Sequence, residues 1–430
     1  MINLGSFVAT AAAAAIYCAS AVQAQNLVFA HLIIGNTASY TQDDALNDIK
    51  TAHDAGIDGF ALNIAIQDGY TGTSLDNYYA AAEQVPGFKL FISFDYAAST
   101  NGYFDPNSVT TYINNYAQKP AQYLVDGKPF ASTFEGPNYV GDWTNIKDAT
   151  NAFFVPDYTS VDPATAANYE QVDGLLTWDA WPNGPTDTPT SDGAFSSALS
   201  SAGKTFMMSV SPWFYTNLPG KNWLWRGDNL WHLRWQQVMQ YKPQLIEILT
   251  WNDWGESHYI APNPPHDDAY PSGAADYNKP VVHSAWINDL PYYIGQYKNG
   301  GAAPAEGSYT PHLTFWYRLS PASACASTNT PCNAPYQSQT DGASCDLDEI
   351  YFTVFTGQQA TVHISIGGQA QPDQTASSAG LYHGSIPFNG NLGAVTISAS
   401  LSDGSTLGPV TGPEISNSCV AGWNAWVGGS

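Results

Sequence analysis

Basic residues are scarce in this chain: 13 Lys and Arg stand against 37 Asp and Glu in 430 residues, a formal net charge of −24. So negative a surface excludes nucleic acid and anionic membranes as natural partners. Cysteine is also sparse, five in all, with no Cys-x-x-Cys, and none of the nine His falls in a zinc-type spacing. No metal or other cofactor is therefore expected. No Gly-rich phosphate loop follows the first predicted strand, which argues against a doubly wound nucleotide-binding sheet. The chain also has no Gly-x-Ser-x-Gly elbow and no His-x-x-x-His pair, so esterase and zinc-protease chemistry lack their signatures. Asn-x-Ser/Thr is missing too, so N-linked glycans are not expected.

Only 12% of residues are charged, while 44% are hydrophobic, which excludes disorder and allows a large core. The length points to more than one domain. Aromatics reach 13%, with 14 Trp and 26 Tyr. Amphipathic rings in such number, on a chain so poor in charge, suit a neutral, hydroxyl-rich ligand such as carbohydrate.

The apolar run Phe7–Val22 is shorter than the ~20 residues a membrane helix needs. It is followed by the small residues Val22-Gln23-Ala24, a plausible cleavage site. Residues 1–24 are thus expected to be a signal peptide, and the protein to be secreted, extracellular or in the cell wall. Cys18 would leave with the signal. Cys325, Cys332, Cys345 and Cys419 remain, and in an exported chain they suggest two disulfides. Sequence permits three pairings; the favoured one joins Cys325 to Cys332 locally and Cys345 to Cys419 across the domain.

From residue 26 to about 300, short β-rich apolar runs alternate with helical stretches. The runs are 27–35, 59–65, 89–95, 130–135, 152–157, 174–179, 205–211 and 245–252. Helices are predicted over 42–55 (capped by Thr41), 77–84, 109–117 and 230–240. Eight such units match a (β/α)8 TIM-type barrel over residues 25–298. A Gly/Pro-rich linker, 299–311, follows. Beyond it, alternating strands and Gly/Asn/Asp turns predict an antiparallel β-sandwich accessory domain over 312–430. Nothing suggests more than a monomer.

Barrel chemistry lies where the strands end. His31, Asn63, Asp95, Glu135, Asp157, Asp179 and the aromatic Trp178, Trp181, Trp213 and Tyr215 all fall at predicted strand ends. The last strand runs into Trp251-Asn252-Asp253-Trp254-Gly255-Glu256-Ser257-His258. Asp253 and Glu256 are three apart, and a bend at Gly255 would turn both carboxylates toward one cleft. Trp251 and Trp254 beside them lower the local polarity and so raise a carboxyl pKa. One raised acid beside one ionised carboxylate is what glycoside hydrolysis requires. His31, Asn63, Asp95, Asp157, Asp179, Asn252 and His258 are candidates to hydrogen-bond sugar hydroxyls. Trp178, Trp181, Trp213, Tyr215, Trp225 and Trp254 are candidates to stack on pyranose rings. Trp231 and Trp235, four apart on a helix, read as core. Asp346, Asp348 and Glu349 read as a solvated turn rather than a calcium site.

Several segments together carry a family resemblance. They are Val28-Phe29-Ala30-His31, the run Gly56 to Asn63, Phe91-Ile92-Ser93-Phe94-Asp95, and Phe154-Val155-Pro156-Asp157-Tyr158. Asp173-Gly174-Leu175 through Trp181 and the block from Asn222-Trp223 to Ser257 complete the set. The chain resembles the family-71 glycoside hydrolases, secreted endo-α-1,3-glucanases also called mutanases. The resemblance implies a barrel with an attached β-sandwich and inverting hydrolysis of α-1,3-glucan, with Asp253 and Glu256 as the catalytic pair. On chemical grounds Glu256 is expected to be the acid and Asp253 the base, ~6.5–9.5 Å apart if the reaction inverts. The competing functions are a glucan-binding barrel without turnover and a hydrolase of another neutral glucan.

Overall fold

The computed structural model describes residues 26–66, 68–97, 103–184, 186, 188–376 and 380–430. The expected signal peptide and Cys18 lie outside the described residues. The first half is built on parallel strands, each buried almost throughout: β1 (Leu27–Ile33), β2 (Gly59–Ile64), β3 (Lys89–Asp95), β4 (Lys128–Phe134), β5 (Phe153–Phe154), β6 (Gly174–Leu176) and β7 (Thr205–Val210). A hairpin of β8 (Tyr215–Leu218) and β9 (Lys221–Leu224) precedes β10 (Leu245–Ile248). Near-continuous apolar runs such as Phe60-Ala61-Leu62 suit strands covered on both faces.

These strands form one curled sheet in the order β4-β3-β2-β1-β10-β7-β6, with β5 on the other side of β4. Single bridges at Asp157 link Phe134 of β4 to Leu176 of β6, so the two ends of the sheet meet there. The α/β architecture expected from the alternating pattern is present, with a curled, TIM-like parallel sheet. A doubly wound open sheet is not what forms. Phe29, Ala61, Phe91, Val155, Leu176 and Met207 fill its interior as one cluster.

Helices cover the outside, and their starts follow local chemistry. The helix Gln42–Asp54 begins with a capping box: Thr41 Oγ1 accepts from Asp44 N–H (3.2 Å) and Asp44 Oδ2 accepts from Thr41 N–H (2.8 Å). The helix expected at 77 instead starts at Thr71, because Thr71, Ser74 and Leu75 extend its buried face earlier in the chain. Trp231 and Trp235 are fully buried on the helix Leu230–Tyr241, as their spacing predicts.

The C-terminal part adds β11 (His312–Arg318), β12 (Pro331–Cys332), β13 (Thr340–Asp341), β14 (Glu349–Thr356), β15 (Ala360–Ile366), β16 (Gly380–Pro387), β17 (Gly393–Leu401), β18 (Thr406–Ile415) and β19 (Ala425–Gly429). One antiparallel sheet has the order β16-β14-β11-β19. A second is built on β15, β17 and β18. Alternate residues of both meet in a shared core that includes Phe315, Phe352, Ile364 and Ile397.

The disulfide pairing differs from the favoured expectation. Cys325 bonds Cys419 and Cys332 bonds Cys345. The physical reason is strand pairing. Cys332 is drawn beside Leu224 of β9 in a parallel bridge, and β13 folds back on β12, which brings Cys345 within a Cα–Cα distance of 5.6 Å. Asp346 and Asp348 are also no solvated turn. Asp346 is buried and accepts from Gly227 N–H (2.8 Å), while Asp348 accepts from Arg318 Nη2 (2.6 Å).

The largest core cluster runs without a break from the parallel sheet into the C-terminal part, through Trp213, Trp286, Trp316, Tyr351 and Trp423. Trp316 Nε1 donates to Asp228 O (2.8 Å) and Trp213 Nε1 to Trp423 O (3.2 Å). A shared core predicts a single cooperative unfolding transition. Trp316→Ala is expected to lower it as a whole, by about 3–5 kcal/mol. Calorimetry showing two transitions, only one of them shifted, would contradict this coupling.

Candidate active site

The last parallel strand stops at Ile248, and the chain then folds into a tight turn over 254–257. Thr250 starts it by accepting Asp253 N–H on its hydroxyl (2.8 Å). Asp253 Oδ1 in turn accepts from Glu256 N–H (3.0 Å). Backbone bonds hold the loop ends, Thr250 N–H to His258 O (2.7 Å) and Ile260 N–H to Thr250 O (3.0 Å). Tyr277 Oη donates to Gly255 O (2.7 Å) and Asn278 Nδ2 to Trp254 O (2.6 Å). The bend was expected at Gly255, but the left-handed residue is Ser257 (φ 58°). Gly255 contributes space instead: a Cβ there would lie 3.3 Å from Asp253 Oδ1.

This turn brings both acids to the wall of one cavity of about 490 Å³ at the C-terminal end of the parallel strands. Lys221 of the β8–β9 hairpin forms an ion pair with Glu256 Oε1. His258 Nε2 lies 2.8 Å from Glu256 Oε2 and 3.5 Å from Asp253 Oδ2. His258 is itself buried, packed against Trp181 and Phe214. Asp253, Glu256 and His258 place one donor atom each within 4.8 Å of one another, close enough to hold a cation. Lys221 already supplies that positive charge.

The surroundings drive the two acids apart. Burial raises the Asp253 carboxyl, and the Glu256 charge raises it further; His258 and Lys221 only partly offset this. Burial would also raise Glu256, but the Lys221 ammonium and the His258 hydrogen bond outweigh it and hold that carboxyl at about 2. The two proton affinities are thus pushed in opposite directions, Asp253 up and Glu256 down. These directions run opposite to the expected allocation, in which Glu256 is the acid. Burial is the largest cause of the raised Asp253 carboxyl. Trp251 and Trp254 are core residues of the turn, whereas the deciding charge is the lysine.

Several expected site residues do line the cavity: His31, Asn63, Asp95, Trp178, Trp181 and Trp225. His31 Nδ1 pairs with buried Glu247 Oε1 (2.6 Å), and its ring meets the edge of Trp178 (4.8 Å). Trp181 and Trp225 stack on each other at 5.1 Å. Residues that sequence reasoning passed over are Lys221, Trp223, Phe214, Phe134 and Tyr336, all on the cavity wall, and Glu247 beneath it. Lys221 had a signal, since a cation is rare here and it precedes a tryptophan pair.

Other expected contacts are spent inside the fold. Trp213, Tyr215 and Trp254 are buried in the core and leave no face for a sugar. Asn252 ties the turn to β1, accepting from Ile33 N–H (2.7 Å) and donating to Ile33 O (3.1 Å). Asp157 is buried where the sheet ends meet, bonded to Thr159, and is pushed up to about 8 by burial and then by the Glu135 charge. Asp179 lies off the cavity, and burial raises its carboxyl above the ordinary value. His258 does not line the cavity; it is buried beside the acids.

Two neighbouring carboxyls with proton affinities driven apart in an aromatic cleft are the equipment of a glycosidase. The profile of glycosyl hydrolase family 71 matches residues 24–430.

The chain belongs to glycosyl hydrolase family 71.

It is 35% identical to a mutanase of Penicillium rubens over 414 residues, 93% of this chain and 88% of that protein. It is 34% identical to a glucan endo-1,3-α-glucosidase of Schizosaccharomyces pombe over 421 residues, 94% of this chain and 95% of that one. A solved family-99 endo-α-mannosidase of Bacteroides thetaiotaomicron is similar with a TM-score of 0.48 and 14% identity, over 64% of this chain and 98% of that one. This family 71 chain is therefore a glycoside hydrolase.

The Lys221 ion pair generates a pH prediction. Without the ammonium, the Glu256 carboxyl rises from about 2 toward ordinary values, and its ionised form is lost as pH falls through that higher value. Lys221→Met is therefore expected to show an acid limb in kcat/KM that the parent lacks in the same range. Profiles with superimposable acid sides would refute the assignment.

Proposed function

We propose that this enzyme hydrolyses α-1,3-glucosidic bonds in α-1,3-glucan, with Asp253 as general acid and Glu256 as its ionised partner. The observation that carries the reading is a pair of carboxyls on one aromatic-walled cavity, with Lys221 paired to Glu256 and the two proton affinities shifted in opposite directions. The substrate class is supported by the two relatives above, one named a mutanase and the other a glucan endo-1,3-α-glucosidase. A neutral polymer also suits the cleft, because its one lysine already serves Glu256. In the reaction Asp253 gives its proton to the glycosidic oxygen as the bond to the anomeric carbon breaks. Glu256 takes a proton from the water that attacks that carbon. Such proton transfers contribute typically ~10²–10⁴-fold each.

The family resemblance implies inversion, and the reading adopts it. The spacing is a departure: one oxygen of each carboxylate lies within 4.8 Å of the other, short of the ~6.5–9.5 Å usual for inversion and nearer the ~5–5.5 Å of retention. That distance supports a second reading, in which Glu256 attacks the anomeric carbon itself. NMR of the first-released anomer separates them. We expect the β-anomer from an α-glucan; the α-anomer first would make Glu256 the nucleophile.

We read the molecule as a closed (β/α)8 catalytic barrel over residues 25–298, a linker over 299–311 and a β-sandwich accessory domain over 312–430. It acts as a monomer, secreted to the extracellular space or cell wall. The bridges at Asp157, the core shared by the two C-terminal sheets and the two disulfides support this reading. Among the described residues, no helix is long and apolar enough to cross a membrane.

Paired variants test the roles. Asp253→Ala is expected to lose about 10²-fold or more on glucan yet recover much of its rate on an α-oligoglucosyl fluoride, whose leaving group needs no proton. Glu256→Ala is expected to stay slow on both and to regain rate with azide. The reverse pattern would hand the acid role to Glu256. Parent protein that releases no reducing ends from α-1,3-glucan would leave a binding barrel or another neutral glucan. Since the acid must hold its proton, kcat/KM should fall as pH rises through the elevated Asp253 value and stay level on the acid side.

A further inference from the structure

The cavity wall is not made by the parallel-sheet half alone. Tyr336, from the loop between β12 and β13, stands on the wall that also carries Asp253 and Glu256. Its side chain is 80% exposed, the most exposed of the large hydrophobic residues described. A lone exposed aromatic is ordinary on a surface. This one is held in place with unusual thoroughness.

The loop leaves β12 through Asn333, whose left-handed backbone (φ 76°) suits an asparagine. Asn333 N–H donates to Leu224 O (2.8 Å), at the end of the strand that carries Lys221. Its side chain accepts from Gly184 N–H (3.0 Å) and donates to Ser338 O (2.8 Å). Gln337 closes the turn around Tyr336, donating its N–H to Ala334 O (2.9 Å) and accepting from Trp225 Nε1 (2.7 Å). The Cys332–Cys345 disulfide ties the base of the loop. A backbone pinned at both ends, with an aromatic ring left bare over a cleft, is arranged in advance for a ligand.

We infer that Tyr336 is a stacking platform for a pyranose ring of the glucan chain at the mouth of the cleft, supplied by the C-terminal part. The inference rests on the glucan-hydrolase reading and extends it to the rings flanking the bond that breaks. Trp181, Trp223 and Trp225 line the same cavity deeper in, where they are half-buried or buried. Tyr336 would serve a ring farther out, so its effect should depend on how long the substrate is. Neutral sugar faces stack on tyrosine through apolar C–H surface and need no charge.

The test compares the parent, Tyr336→Ala and Tyr336→Phe on α-1,3-linked oligosaccharides of increasing length. On long chains Tyr336→Ala is expected to lower kcat/KM by about tenfold, mainly through KM. On the shortest chain that is cleaved it should match the parent. Tyr336→Phe should stay near the parent throughout, and neither variant should shift Tm, since the ring is exposed. A loss equal at every length, or no loss at all, would overturn the platform. Co-sedimentation with insoluble α-1,3-glucan reads the same contact without turnover, and equal depletion of parent and Tyr336→Ala would also overturn it. Failure of the hydrolase reading looks different: the parent itself would release no reducing ends, while depletion would still report on Tyr336.

Discussion

One hydrogen bond organises the site: the Glu256 amide donating to the Asp253 carboxylate across a four-residue turn. It fixes two acids of near-identical chemistry on the same side of the chain. Two carboxyls so close resist ionising together, and a neighbouring charge decides which of them gives up its proton more readily. Lys221 does this, by ion pairing with one acid and not the other. The asymmetry that hydrolysis needs is therefore supplied from outside the turn, by a hairpin that is no part of the parallel sheet.

That hairpin links the two halves of the molecule. β9 pairs with β8 on one side and with β12 of the C-terminal part on the other, in a small sheet of order β13-β12-β9-β8. Leu224 of β9 is bonded by Asn333, Gly227 by Asp346, and the Leu347 amide by Asp228 (3.1 Å). The C-terminal sheets thus brace the element that sets the proton affinity of Glu256.

Much of this was legible beforehand. The eight predicted parallel strands all appear, within a few residues of their places, because apolar β-rich runs alternating with helical periods leave few other solutions. The turn that carries Asp253 and Glu256 stood out because an acid pair three apart is conspicuous in so uncharged a chain. What the residues did not reveal was the partner. Lys221 lies 35 positions before Glu256, and that distance is bridged only by tertiary pairing. Strand-end position also could not separate lining from packing. Trp181 and Trp213 both follow parallel strands, yet one faces the cleft and the other is capped by the C-terminal part at Trp423. The cysteine pairing was missed for the same reason, since a bridge between β9 and β12 has no local signature.

The parallel bridge between Leu224 and Cys332 has a consequence for anyone treating the C-terminal part as a detachable module. Its removal or replacement by a homologous segment alters the neighbour of the strand that carries Lys221. A chimera joined near residue 311 inherits an electrostatic setting from one parent and the hydrogen-bonding edge that holds it from the other. Recombination within this family should therefore respect the hairpin and its partner strand as one unit of inheritance.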